Sequence, residues 1–95
     1  MEHSHWVCLL ASQKNGTLYI GITNDLPRRI DRHAEGKGSA FTRKYNVKRL
    51  VWYMEFGQVG DAIQKEKSLK KWKRQWKIDL IESENPDWND LRKTL

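Results

Sequence analysis

The chain has 95 residues, with 18 Lys plus Arg against 12 Asp plus Glu, a formal net charge of +6. That length holds one domain, and five Trp, three Tyr and two Phe argue against a disordered chain. The longest apolar run, Trp6 to Ala11, is far short of the ~20 residues that span a bilayer. The first five residues carry no Lys or Arg, unlike a secretory leader, and the single Cys8 has no internal disulfide partner. These features predict a cytoplasmic protein without a membrane segment.

Residues 1–5 are expected to be disordered and 6–95 to form a single domain. Trp6–Ala11 reads as a buried strand and Thr17–Ile22 as a second, joined through Asn15-Gly16, a strong hairpin signal. Leu18, Ile20 and Ile22 share one face of the second strand, which leaves Tyr19 and Gly21 on the other with Cys8. Two registers stay open, with either Ser12 or Cys8 opposite Tyr19. A helix starts at Leu26 with Asp25 as its cap and Pro27 in its first turn. Its stripe is Leu26, Ile30 and Ala34, and Gly36 and Gly38 stop it. Ser39–Tyr45 predicts a short helical turn, Arg49–Phe56 a third strand, and Asp61 to about Ile81 one long helix with apolar positions Ala62, Leu69, Trp76 and Leu80. Asn85-Pro86 ends that helix before a last turn containing Trp88 and Leu91. The fold class is therefore α/β (α+β): a three-stranded antiparallel sheet flanked by helices, in the order β-β-α-β-α-α.

The positive charge is clustered. Residues 24–49 hold eight basic and three acidic side chains, and residues 64–77 hold seven basic side chains with Glu66 as their one acid. Either run alone suits a solvated helix face; both together, with Trp72 and Trp76 in the second, favour a nucleic-acid partner. Arg29 and His33 lie one helical turn apart, an unhelpful pair for stability but a useful one at a phosphodiester, where Arg braces the phosphate and His moves a proton. The alternative is a basic solvated face shared with Arg28 and Arg32. Glu66 borders the apolar stripe of a basic helix, which suits an ion pair with Lys70 or a hard divalent cation. His3 and His5 lack a second ligand cluster at zinc-like spacing.

Taken together these residues resemble the GIY-YIG nuclease superfamily, above all its small single-domain bacterial members, similar to the N-terminal nuclease domain of the bacterial excinuclease. The resemblance rests on Tyr19-Ile20-Gly21, on Thr23-Asn24-Asp25-Leu26 leading to Arg28, Arg29, Ile30 and His33, and on Gly38-Ser39-Ala40-Phe41-Thr42-Arg43-Lys44-Tyr45. Ala62-Ile63, Glu66-Lys67, Lys70 and Trp72 continue it, as do Asn85-Pro86, Trp88 and Leu91. It implies metal-dependent hydrolysis of DNA, with RNA as an alternative substrate, in a setting such as repair or recombination. It also implies one Mg2+ or Mn2+ held by Glu66, with Arg29 bracing the scissile phosphate and Tyr19 and His33 acting on the attacking water. Asn85 matches a polar position near that site, and Arg28, Arg32, Arg43, Lys44, Lys70 and Lys73 are candidates for holding the nucleic acid. The sequence departs from the pattern at Cys8, where the first signature tyrosine is expected. A thiolate base there is conceivable, since a free thiol titrates near ~8.5 against ~10 for a phenol. Otherwise Tyr19 and His33 suffice, activity is weak, or the domain binds nucleic acid without cutting. A protein-interaction domain with a solvated basic helix is a third reading.

Overall fold

A computed structural model describes residues 4–95. Three strands, β1 (His5–Ala11), β2 (Leu18–Thr23) and β3 (Arg49–Phe56), form one antiparallel sheet in the order β2-β1-β3. The apolar run of the sequence thus becomes the central strand, with Val7 to Ala11 fully buried. The predicted disorder of residues 1–5 falls mostly on residues 1–3, which lie outside the described residues. His5 departs from that expectation, because it opens β1 opposite Phe56.

Alternation along β1 sorts its side chains onto two cores. Val7, Leu9 and Ala11 face a core that takes Ala62 and Leu69 from α3 (Val59–Lys71) and Ile81 from α4 (Arg74–Glu84); Leu18, Ile20 and Ile22 pack against it. Cys8 and Leu10 face the other core, completed by Leu26 and Ile30 of α1 (Leu26–Ala34), with Val47 and Leu50. Each Val, Leu or Ile among these contributes roughly 1.5–3 kcal/mol relative to exposure. Helices therefore cover both faces of the sheet.

The hairpin corrects both expected registers. Ser12 and Thr17 close a four-residue loop, in which Gly16 N donates to Gln13 O at 2.9 Å and Asn15 takes φ 59°. Leu10 consequently stands opposite Tyr19, and Cys8 opposite Gly21. Cys8 and Tyr19 still share a face, because the shift is an even number of residues.

Asp25 caps α1 as expected, its carboxylate accepting from Arg28 N at 3.3 Å, and Gly36 ends the segment in the left-handed region at φ 77°. A short helix, α2 (Ala40–Lys44), is capped by Ser39. The long helix expected over 61–81 is two helices. Trp72 and Lys73 both turn extended, with ψ of 147°, and no Gly or Pro marks the break. A straight helix over 61–81 would run ~32 Å, longer than the ~26 Å of an eight-residue strand, so its end would overhang the sheet. The break turns Trp72 onto the core and re-aims α4 so that Ile81 is buried. Trp76, expected on the apolar stripe, is instead 51% exposed.

β3 carries a bulge: Leu9 pairs with Trp52 and Leu10 with Leu50, so Val51 has no partner on β1. Its carbonyl accepts from Asn85 Nδ2 at 3.1 Å. The chain ends in a 3-10 turn, Leu91–Thr94.

Candidate active site

The site forms where α1 packs over the Cys8–Gly21 pair in the middle of the β1–β2 ladder. Gly21 has no side chain, and a methyl group built there would lie 3.3 Å from Arg29 Nε and Nη2 and 3.4 Å from Cys8 Sγ. The guanidinium of Arg29 therefore rests on the bare backbone of Gly21, next to the Cys8 thiol. This is the reason for glycine at that strand position: any larger residue would press on the arginine. Arg29 Nη2 donates to Tyr19 Oη at 3.4 Å. Its Nε is buried and has no hydrogen-bond partner among the described residues.

His33, one turn after Arg29, points inward and is 3% exposed, so the solvated basic face does not describe it. Burial holds its imidazole below the ordinary histidine range, and the like charges of Arg29 and Arg32 add to the effect. Its ring lies 5.9 Å from that of Tyr19, and the backbone of Gly38 closes against it so tightly that a Cβ there would strike Nδ1. That nitrogen too is buried without a partner. Two buried donors or acceptors left unmatched in one spot is an unusual expense, because an unsatisfied polar atom costs ~1–3 kcal/mol, more for a charged group.

Beside them opens a groove of about 750 Å³. Arg28, Arg29, Arg32, His33 and Lys37 line it, with Asp25 as its one acid. Asp25 caps the helix and exposed Lys37 makes an ion pair with Glu35 at 3.6 Å, so Arg28 and Arg32 are the groove's exposed cations without an ion pair among the described residues.

Cys8 is a neutral thiol. Burial pushes it up to about 11; the charge of Arg29 opposes that shift and the charge of Glu66 adds to it. Its Sγ donates to Gly21 O at 3.7 Å. A thiolate base at this position is thus disfavoured near neutral pH.

Glu66 makes the expected pair with Lys70, at 3.6 Å, and its side chain is only 16% exposed. Its charge reaches Cys8, yet it forms no ion pair with Arg29. Among the described residues no group of three or more His, Cys, Asp or Glu side chains could hold a metal. That donor set does not fit a closed zinc-type site. One half-buried carboxylate does fit Mg2+ or Mn2+ in the style of hydrated ions, which take one or two carboxylates and keep most of their waters.

The remaining candidates are placed as follows. Asn85 is buried at the end of α4, where Nδ2 donates to Val51 O and Asn89 O and Oδ1 accepts from Asn89 N; none of these bonds reaches Tyr19, Arg29 or His33. Arg43 and Lys44 are exposed on α2, and Lys44 Nζ lies 5.4 Å from the Tyr45 ring. Lys73 Nζ lies 5.6 Å from the ring of Trp76. Lys37, Gly38 and Ser39 also line the groove; the sequence marks Gly38 as a helix stop and as the start of the Gly38–Tyr45 segment, but nothing in it places these three beside Arg29 and His33.

The fold is that of a small α/β domain, a three-stranded antiparallel sheet with helices on both faces. The chain belongs to the GIY-YIG family: the family model described as the GIY-YIG catalytic domain matches residues 4–79. Relatives include a UPF0213 protein of Streptococcus pneumoniae serotype 4, 35% identical over 91 residues and covering 96% of this chain and 90% of that one. A putative GIY-YIG domain-containing protein, 242L, of Invertebrate iridescent virus 6 is 31% identical over 81 residues, 84% of this chain and 82% of that one. The solution NMR structure of the UPF0213 protein BH0048 from Bacillus halodurans superposes with a TM-score of 0.58 at 33% identity, covering 95% of each chain.

Proposed function

We propose that the protein is a metal-dependent endonuclease that hydrolyses phosphodiester bonds in DNA, in a repair or recombination setting. The observation that carries this reading is the guanidinium of Arg29 lying on Gly21 with Nε buried and unpartnered at the edge of a basic groove. A non-bridging phosphate oxygen is the acceptor that such a donor lacks, and a planar fork suits a phosphate better than a point charge does.

Arg29 holds the phosphate and stabilises the negative charge that grows on it during attack. Tyr19 Oη accepts from Arg29 Nη2, which leaves the phenolic hydrogen free to orient a water. His33, kept neutral by burial and by its cationic neighbours, can accept the proton of that water. When bound at Glu66, a divalent ion supplies further positive charge for the transition state. Lys70 would then surrender its partner, and Arg28 and Arg32 would hold flanking phosphates.

One observation favours a binding module without cleavage: Cys8 offers a buried neutral thiol where the signature places a tyrosine. Incubation of the protein with labelled single-stranded, duplex and branched DNA in Mg2+ or Mn2+ decides between them. Cleavage by the wild type that is lost in Glu66→Ala and on chelation supports the enzyme. Salt-sensitive binding without cleavage overturns it, and a gain of cleavage in Cys8→Tyr would then locate the defect.

A further inference from the structure

Helix α2 presents aromatic side chains that the cores do not use. Its single buried side chain is Thr42, while Phe41 and Tyr45 are each 44% exposed and belong to neither core. Their rings are 4.8 Å apart, and that of Phe41 is stacked on Tyr19 at 6.1 Å with an interplanar angle of 30°. Tyr19 is in turn 5.9 Å from His33. A file of rings therefore runs from the proposed catalytic residues out to solvent, with the ammonium of exposed Lys44 5.4 Å from the Tyr45 ring at its outer end. A one-turn aromatic pair would by itself steady a short helix. It would not require contact with Tyr19, nor a cation against a half-exposed ring.

We propose that Phe41 and Tyr45 form a nucleobase-stacking subsite, which takes an unpaired base of the DNA strand adjacent to the phosphate held by Arg29. The inference rests on the nuclease reading and names the substrate class of the same site: DNA with an unpaired nucleotide beside the scissile bond. Every base has a flat π-face that stacks on aromatic rings without sequence preference, whereas bases inside a duplex are covered by their neighbours. Lys44 meets the backbone of the stacked nucleotide, which gives the subsite a partner for the phosphate as well as for the base. Stacking at Phe41 also presses on the Tyr19 ring, so occupancy of the subsite fixes the hydroxyl that orients water.

The test measures binding in EDTA, where no cleavage competes. Three DNAs carry the same number of phosphates: a blunt duplex, a duplex with a short single-stranded tail, and the same duplex with an abasic tail. The wild type is expected to prefer the tailed DNA over the abasic-tailed one by at least about fivefold, the effect of one stacked base. Phe41→Ala with Tyr45→Ala abolishes that preference, Phe41→Tyr with Tyr45→Phe restores it, and circular dichroism stays native in both. Equal affinity of the wild type for tailed and abasic-tailed DNA overturns the subsite, as does a preference that survives the double alanine variant. Neither result touches cleavage by Arg29 and Glu66, and a protein that prefers the tail yet never cuts would overturn the enzyme reading while leaving the subsite standing.

Discussion

Two atoms define the site at the scale of single residues: Arg29 Nε and His33 Nδ1, each buried and each without a partner. An arginine that the fold wanted only for stability would be paired, since breaking a buried charge pair costs ~3–5 kcal/mol. His33 gives a testable pH dependence. The folded protein holds its imidazole below the ordinary range, whereas the unfolded chain titrates near ~6.5. The unfolded state therefore binds the extra proton first, and stability, complete above ~6.5, declines as pH falls beneath it. Thermal melts across that range should show this decline in the wild type and lose it in His33→Gln. The acid limb of the cleavage profile should also lie below ~6.5. Arg32→Ala, which removes a like charge, should shift that limb upward, and His33→Gln should cut the rate ~10²–10⁴-fold.

Secondary-structure elements show where sequence signals were sufficient and where they failed. The start of α1 was legible because Asp25 and Pro27 are local chemistry, and β3 was legible as a run of aromatic and β-branched residues. The α3–α4 break was not. Trp72 and Lys73 are ordinary helix interior residues, and the break is imposed by the size of the sheet and by Arg74, whose Nη2 donates to Asn15 O at 2.9 Å. Tertiary fit overrode propensity there. Lys73 has φ −59°, follows an extended residue and donates no hydrogen bond from its N–H among the described residues, all of which proline tolerates. Lys73→Pro should therefore change stability in urea by at most about +0.4–1 kcal/mol in the favourable direction. In a continuous helix the same change would cost ~3 kcal/mol, so a large loss would contradict the two-helix description.

Across the whole molecule, the sequence gathers its positive charge into two runs of similar size, eight basic against three acidic residues over 24–49 and seven against one over 64–77. Folding makes them unequal. In the second run Lys70 pairs with Glu66, Lys65 and Lys73 lie over Trp72 and Trp76, and Arg74 holds the hairpin loop. From the first run, Arg28, Arg29, Arg32 and Lys37 line one groove. Such pairings depend on helix ends and loop positions far apart in sequence, which residue counting does not see. DNA affinity should fall steeply with salt. Arg28→Ala with Arg32→Ala should lower the magnitude of the log–log salt slope by ~2, and Lys67→Ala with Lys71→Ala by less. Among the described residues no helix is long and apolar enough to cross a membrane.

In the proposed mechanism the fork of Arg29, seated on Gly21, grips the phosphate under attack. Single-turnover cleavage by Arg29→Lys, at saturating protein and fixed Mg2+, tests it most directly because the charge is kept and only the fork is lost. The expected rate is at least ~10²-fold below wild type, with DNA affinity within about tenfold and an unchanged melting temperature. Cleavage by Arg29→Lys within a few-fold of wild type would contradict it.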